Sequence, residues 1–116
     1  MTASALPGML TRLSELLPRT FEYSNVMEPL LRVKVARRIH AIEKDDPSEF
    51  DLLMLEAAAR QEIEARGWEW RVNRTYLGYN AEVWPDVRKD AHWGESDISS
   101  AMALTSALLA ALEAPQ

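Results

Sequence analysis

Few side chains in this sequence could do chemistry. There are two histidines, His40 and His92, and no cysteine. Neither histidine has a second His or Cys at ligand spacing, so the pattern gives no zinc site. Asp45 and Asp46 are adjacent carboxylates, but Asp46 stands directly before Pro47, where a carboxylate caps a helix rather than serving as an acid or base. No nucleophile elbow and no phosphate loop occurs, and four glycines in all leave little backbone to cradle an anion. The expectation is a protein without catalytic, metal or cofactor-binding residues, and not an enzyme. What remains is surface chemistry. The candidates for partner binding are the cations Arg32, Lys34, Arg37 and Arg38 and the indole of Trp84.

These candidates have to be held by something. Met9, Leu10, Leu13, Leu16 and Leu17 recur at helical spacing and predict a helix over about 7–17, stopped by Pro18. A second helix is expected over about 29–44, with Pro29 in its first turn and Leu31, Val35, Ile39 and Ile42 along one stripe. Arg32, Lys34, Arg37, Arg38 and Lys44 make this segment basic, with Glu43 its one acid. The third helix, about 47–66, has the clearest start signal: Asp46 as cap, Pro47 at the first position, Glu49 three residues after the cap. Gly67 ends it. Residues 45–64 hold seven acids and one arginine, so an acidic helix follows a basic one. Side by side, the two moderate each other's field.

From Trp68 the period changes to two. Trp68, Trp70 and Val72 alternate with Glu69, Arg71 and Asn73. Tyr79, Ala81 and Val83 alternate with Asn80 and Glu82. Arg88 to Trp93 completes a three-stranded antiparallel sheet over about 68–93. Trp84 has the opposite parity from Ala81 and Val83, which puts it on the far face, either exposed as an interface anchor or covering that face of the sheet under one of the first three helices. Gly94 to Asp97 is expected as a loop that caps a last helix, 98–113, through Ser96 or Asp97. That helix carries almost no charge and should be mostly buried. The fold class is α+β: one three-stranded sheet packed by the C-terminal helix, with three N-terminal helices beside it. The chain, 116 residues long, reads as a single domain 1–116. Residues 1–45 form an N-terminal helical part and 46–116 a helix–meander–helix part.

Composition narrows the class. Apolar residues make 47% and charged residues 27%, values that belong to a globular chain rather than a disordered one. No apolar run approaches the ~18 residues of a membrane span, and the N-terminus lacks a secretory pattern. The expected compartment is the cytoplasm. Net charge is −5, which opposes nucleic-acid binding at long range. The order helix–three strands–helix invites comparison with double-stranded RNA-binding domains, whose last helix opens on a lysine cluster. Here Gly94–Ala101 has two acids and no lysine, which excludes that mode.

The segments Gly67-Trp68, Tyr79-Asn-Ala, Trp93-Gly-Glu-Ser, Ala101-Met-Ala-Leu and Ala107-Leu-Leu-Ala-Ala-Leu together resemble small α-β-α sandwich domains encoded by bacteriophages and prophages. The resemblance covers Gln61 to Ala114. It implies a small accessory phage protein and transfers no site residues. The leading expectation is therefore a non-enzymatic phage or mobile-element protein that binds another protein. Its sharpest form is an inhibitor of a bacterial defence system such as CRISPR, acting in the host cytoplasm. The alternatives are nucleic-acid binding through the basic helix at 32–44 and assembly by homo-oligomerisation, a homodimer being its simplest form.

Overall fold

The computed structural model describes residues 6–24, 30–43 and 46–115. Among these, the elements run α1 (Leu6–Leu16), β1 (Phe21–Ser24), β2 (Leu30–Val35), β3 (Arg38–Ile42), α2 (Glu49–Ala65), β4 (Glu69–Thr75), β5 (Gly78–Trp84), β6 (His92–Ser96) and α3 (Ser100–Glu113). The strands form two antiparallel three-stranded sheets, β1-β2-β3 and β4-β5-β6. The order helix–three strands thus occurs twice before the final helix, although the sequence shows no repeat.

The first sheet corrects the sequence reading. Residues expected to continue a helix over 29–44 form the β2–β3 hairpin, with Leu31 opposite Ile42, Val33 opposite His40 and Val35 opposite Arg38. The reason lies in two superposed periods. Leu31, Val35, Ile39 and Ile42 fit a helical stripe, but Leu31, Val33 and Val35 alternating with Arg32 and Lys34 also fit a strand. Burial follows the strand pattern: Leu31 and Val33 are inside, Arg32 and Lys34 outside. The turn hid the hairpin. Ala36 and Arg37 both take positive φ, 51° and 69°, the backbone of a type I′ turn that usually announces itself as Asn-Gly. The basic helix at 32–44 therefore does not form, and its cations sit on a hairpin. The expected ends of that helix, Pro29 and Lys44, lie outside the described residues, as does Asp45.

The other helices hold with shifted caps. The α2 cap is Ser48, not Asp46: the Ser48 hydroxyl accepts from the Asp51 amide (3.0 Å), and the Asp51 carboxylate accepts from the Ser48 amide (3.1 Å). The α3 cap is Ser99, whose hydroxyl accepts from the Met102 amide at 3.1 Å. Ser96 and Asp97 are not the cap, because the third strand of the second sheet is β6, 92–96, rather than 88–93. The expected Gly94–Asp97 loop is thus mostly strand.

Helix α3 organises the packing. It touches all three strands of the second sheet and both other helices, while α1 and α2 bridge it to the first sheet. Ala101, Met102, Ala103, Leu104, Thr105, Ala107, Leu108 and Ala111 are all buried, which is why apolar residues run around the whole helix. The buried Thr105 hydroxyl is satisfied by donating to the Ala101 carbonyl at 2.6 Å. The small residues permit close contact. At Gly94 a Cβ would stand 2.2 Å from the Ala103 carbonyl oxygen and 2.5 Å from the Ala107 nitrogen. Helix and strand meet backbone to backbone, and only glycine fits.

Candidate functional site

The alternation of β4 and β5 sends Trp70, Val72, Ala81 and Val83 toward α3 and leaves Arg71, Asn73, Glu82 and Trp84 on the outer face. Register fixes their neighbours: Arg71 is opposite Glu82, Asn73 opposite Asn80, and Glu82 opposite Trp93. Trp84 and Trp93 are thus diagonal neighbours on adjacent strands, close enough to share a face. The polar groups of this face are paired within it. Arg71 donates to Glu82 at 2.5 Å and lies 5.7 Å from the Trp84 ring centroid. Asn73 donates to Asn80 at 3.2 Å, and the Trp93 indole N–H donates to Glu95 at 2.6 Å. Of the two indoles, Trp93 is held by this hydrogen bond and Trp84 by the Arg71 side chain over its ring.

Asn80, Trp93 and Glu95 of this face line one groove, and a second lies nearby. The first, about 460 Å³, is lined by Tyr76, Leu77, Tyr79, Trp93 and Asp97 among others. The second, about 360 Å³, lies between α2 and the start of α3, with Leu52, Leu53, Glu56 and Ile98 along its walls. Tyr79 lines both. Their rims carry large apolar groups in water: Tyr76 is 95% exposed, Leu77 77%, Leu53 60%, Trp93 49% and Ile98 46%. Singly scattered exposed apolar residues are common on protein surfaces; here three of the five line the first groove and two the second.

The sequence-derived candidates divide between the two sheets. Trp84 is on the outer face of the second sheet, where its parity placed it, half-buried under Arg71. Arg32, Lys34, Arg37 and Arg38 are on the hairpin of the first sheet: Arg32 and Lys34 share one face, Arg38 opposite Val35 has the parity of the other, and Arg37 is in the turn. Arg32 approaches Glu22 at 3.4 Å, while Lys34, Arg37 and Arg38 make no ion pair among the described residues. Gln61 of α2 holds the hairpin tip: its carbonyl accepts from the Ala36 amide and its amide donates to the Lys34 carbonyl, both at 3.0 Å. Trp68 and Trp70 are partly buried against the core, as their pattern implied, and each carries an arginine over its ring: Arg66 at 5.6 Å and Arg60 at 5.5 Å. Trp68 precedes β4 rather than belonging to it.

Sequence reasoning missed Tyr76, Leu77, Leu53, Ile98 and the exposure of Trp93. Tyr76 and Leu77 form the β4–β5 turn, and two large apolar residues in so short a turn were the available signal.

His40 is half-buried against the Phe50 ring edge, 6.0 Å between centroids. His92 begins β6 beside a groove of about 300 Å³ that Asp86, Lys89 and Asp90 also line. The Asp86 carboxyl is held below the usual carboxylate range by hydrogen bonds from the Arg88 side chain and backbone. Arg12 is held above its ordinary value by its hydrogen bond to Glu113. Among the described residues no group of three or more His, Asp or Glu could hold a metal ion, and no helix is long and apolar enough to cross a membrane. Compared with known proteins, the chain matches no family model, no curated protein and no solved structure.

Proposed function

We propose that the chain works by binding another protein through the outer face of its second sheet and the two grooves beside it. The observation that carries this reading is the group of exposed apolar side chains on the first groove, Trp93, Tyr76 and Leu77, with Leu53 and Ile98 exposed on the second. Aromatic anchors on a rigid, internally hydrogen-bonded face are what tight protein interfaces use, because little conformational entropy is lost on docking. The phage-derived version, in which the partner belongs to a bacterial defence complex, rests on the net charge of −5 and on the segment Gln61–Ala114.

The test is affinity capture from host lysate with immobilised wild type, Trp93→Ala and Tyr76→Ala, followed by reconstitution with the purified partner. The expected result is one stoichiometric protein whose affinity falls by about tenfold to thirtyfold in each variant, the range of an interface hot spot. Absence of any stoichiometric protein, or binding indifferent to both changes, removes the proposal.

The basic hairpin supports a second reading, nucleic-acid binding through Arg32, Lys34, Arg37 and Arg38. Four phosphate contacts would give a slope of log K against log salt near about −3.6. A mobility-shift titration with no shift at low salt would end it.

A further inference from the structure

The groove between α2 and α3 contains a feature that its apolar walls do not account for. Glu56 projects into it from α2, and its Oε1 atom is buried without a hydrogen-bond partner among the described residues. A carboxylate oxygen taken from water and left without a donor is costly. Glu49, about two helical turns earlier on the same helix, also lines the groove, and no lysine or arginine does. The cations nearby are engaged elsewhere: Arg74 lies over the Tyr79 ring at 5.9 Å and Arg60 over the Trp70 ring. Leu52, Leu53 and Ile98 supply apolar surface in the same groove.

From this we infer that the groove is a socket for a cationic side chain of the protein partner, arginine or lysine, borne on an apolar segment. The charged head meets Glu56, and the methylene stem lies along Leu52, Leu53 and Ile98. Long basic side chains divide in this way between an apolar stem and a polar tip, and a charged donor on a carboxylate is the strong form of the hydrogen bond. The negative lining selects a cation over a neutral donor and disfavours a carboxylate at the same place. This inference rests on the protein-docking reading and names what that surface recognises.

The test titrates isotope-labelled protein with the acetylated, amidated peptide Ser-Leu-Arg-Leu-Ser, its Arg→Lys analogue and its Arg→Glu analogue, read by amide NMR shifts. The expected shifts are confined to Leu52–Glu56, Tyr79 and Ile98–Ala101 and saturate in roughly the millimolar range for both basic peptides. The acidic analogue gives none. Glu56→Gln lowers the affinity about tenfold, while the thermal midpoint of the free protein stays the same or rises, because the buried oxygen no longer belongs to a carboxylate. No shift at those residues up to about 10 mM peptide, equal response to the acidic analogue, or binding unchanged in Glu56→Gln overturns the socket. The two proposals fail separately. A captured partner that needs Trp93 but ignores Glu56→Gln sinks the socket alone. Peptide binding in the groove without any captured partner sinks the docking reading and leaves the cation preference standing.

Discussion

Replacing Gly94 by alanine should be among the most damaging single-methyl changes available in this protein, for a reason that can be separated from backbone strain. Gly94 is buried, and no left-handed φ is required there. The added Cβ would meet the Ala103 carbonyl oxygen at 2.2 Å and the Ala107 nitrogen at 2.5 Å, against ordinary contact at 3.4–4 Å. Both obstacles are backbone atoms inside a helix, so no rotamer can give way. Helix α3 has to move off β6 by about 1 Å, and it is packed on its other side by α1 and α2. Ordinary overpacking costs ~1–3 kcal/mol; with no soft neighbour, the expected loss is at the top of that range, about 3 kcal/mol or more. For a chain of this size that is a fall of roughly 10–15 °C in Tm. Gly67→Ala is the control. It has φ +72° and nothing within 4 Å of its Cβ, so its cost is conformational alone, ~1–2 kcal/mol. Denaturant unfolding of both variants decides the matter. A second comparison sharpens it: because the clash is with main chain, adding Ala107→Gly should not rescue Gly94→Ala. A loss below about 1 kcal/mol, or full rescue by trimming Ala107, would refute the backbone-contact account.

Other outcomes follow from the same geometry. Ala36→Asn with Arg37→Gly should stabilise the protein by about 1–2 kcal/mol, since two residues at positive φ are replaced by the pair that favours that turn; an unchanged or lower Tm would show that the turn is not strained. Ser48→Ala should cost ~1 kcal/mol by removing the α2 cap, and Asp51→Ala, which takes away the reciprocal bond, should add little to it in a double mutant; two fully additive losses would contradict a shared capping box. Arg88→Ala should return the Asp86 titration, followed by carboxyl NMR, upward toward the ordinary carboxylate value. Since the folded-state pKa of Asp86 is depressed, its contribution to stability is present above the unfolded value and lost as pH falls through the folded one. Titration of Asp86 unmoved by the Arg88 change would discount that pairing.

The elements most legible in the sequence were those where burial is periodic and one-sided. Leu10, Leu13 and Leu17 mark α1 because every inward position is apolar, and Trp70, Val72, Ala81 and Val83 mark the second sheet by strict alternation. The first sheet was missed where the same residues satisfy two periods. In Leu30–Ile42 the decision between helix and hairpin falls on two residues, Ala36 and Arg37, and neither has a propensity for the backbone it adopts. Gln61, twenty-five positions away from Ala36, supplies hydrogen bonds that hold that turn. A local reading of sequence cannot contain a contact of that range. The shift of β6 has a similar origin: Gly94 looks like a loop residue until α3 is laid against it, and then it is the one residue that lets a helix reach a strand.

The candidate site was legible in part, and the division follows from what patterns encode. Parity identified Trp84, because an apolar residue out of phase with a buried strand face has nowhere to go but the other face. It could not identify Leu53, Tyr76, Leu77 or Ile98, which come from a helix, a turn and the entry to another helix and share no period. Leu53 and Ile98 come to share a groove because α3 packs against α2, and Tyr79 of the second sheet lines it too. The same convergence leaves Glu56 with a buried oxygen and no donor. In a core assembled from alanines and leucines, an unpaired carboxylate beside exposed apolar groups gives the free protein nothing. On the proposed docking reading it becomes favourable once a partner brings a cation to it, which is what Glu56→Gln tests.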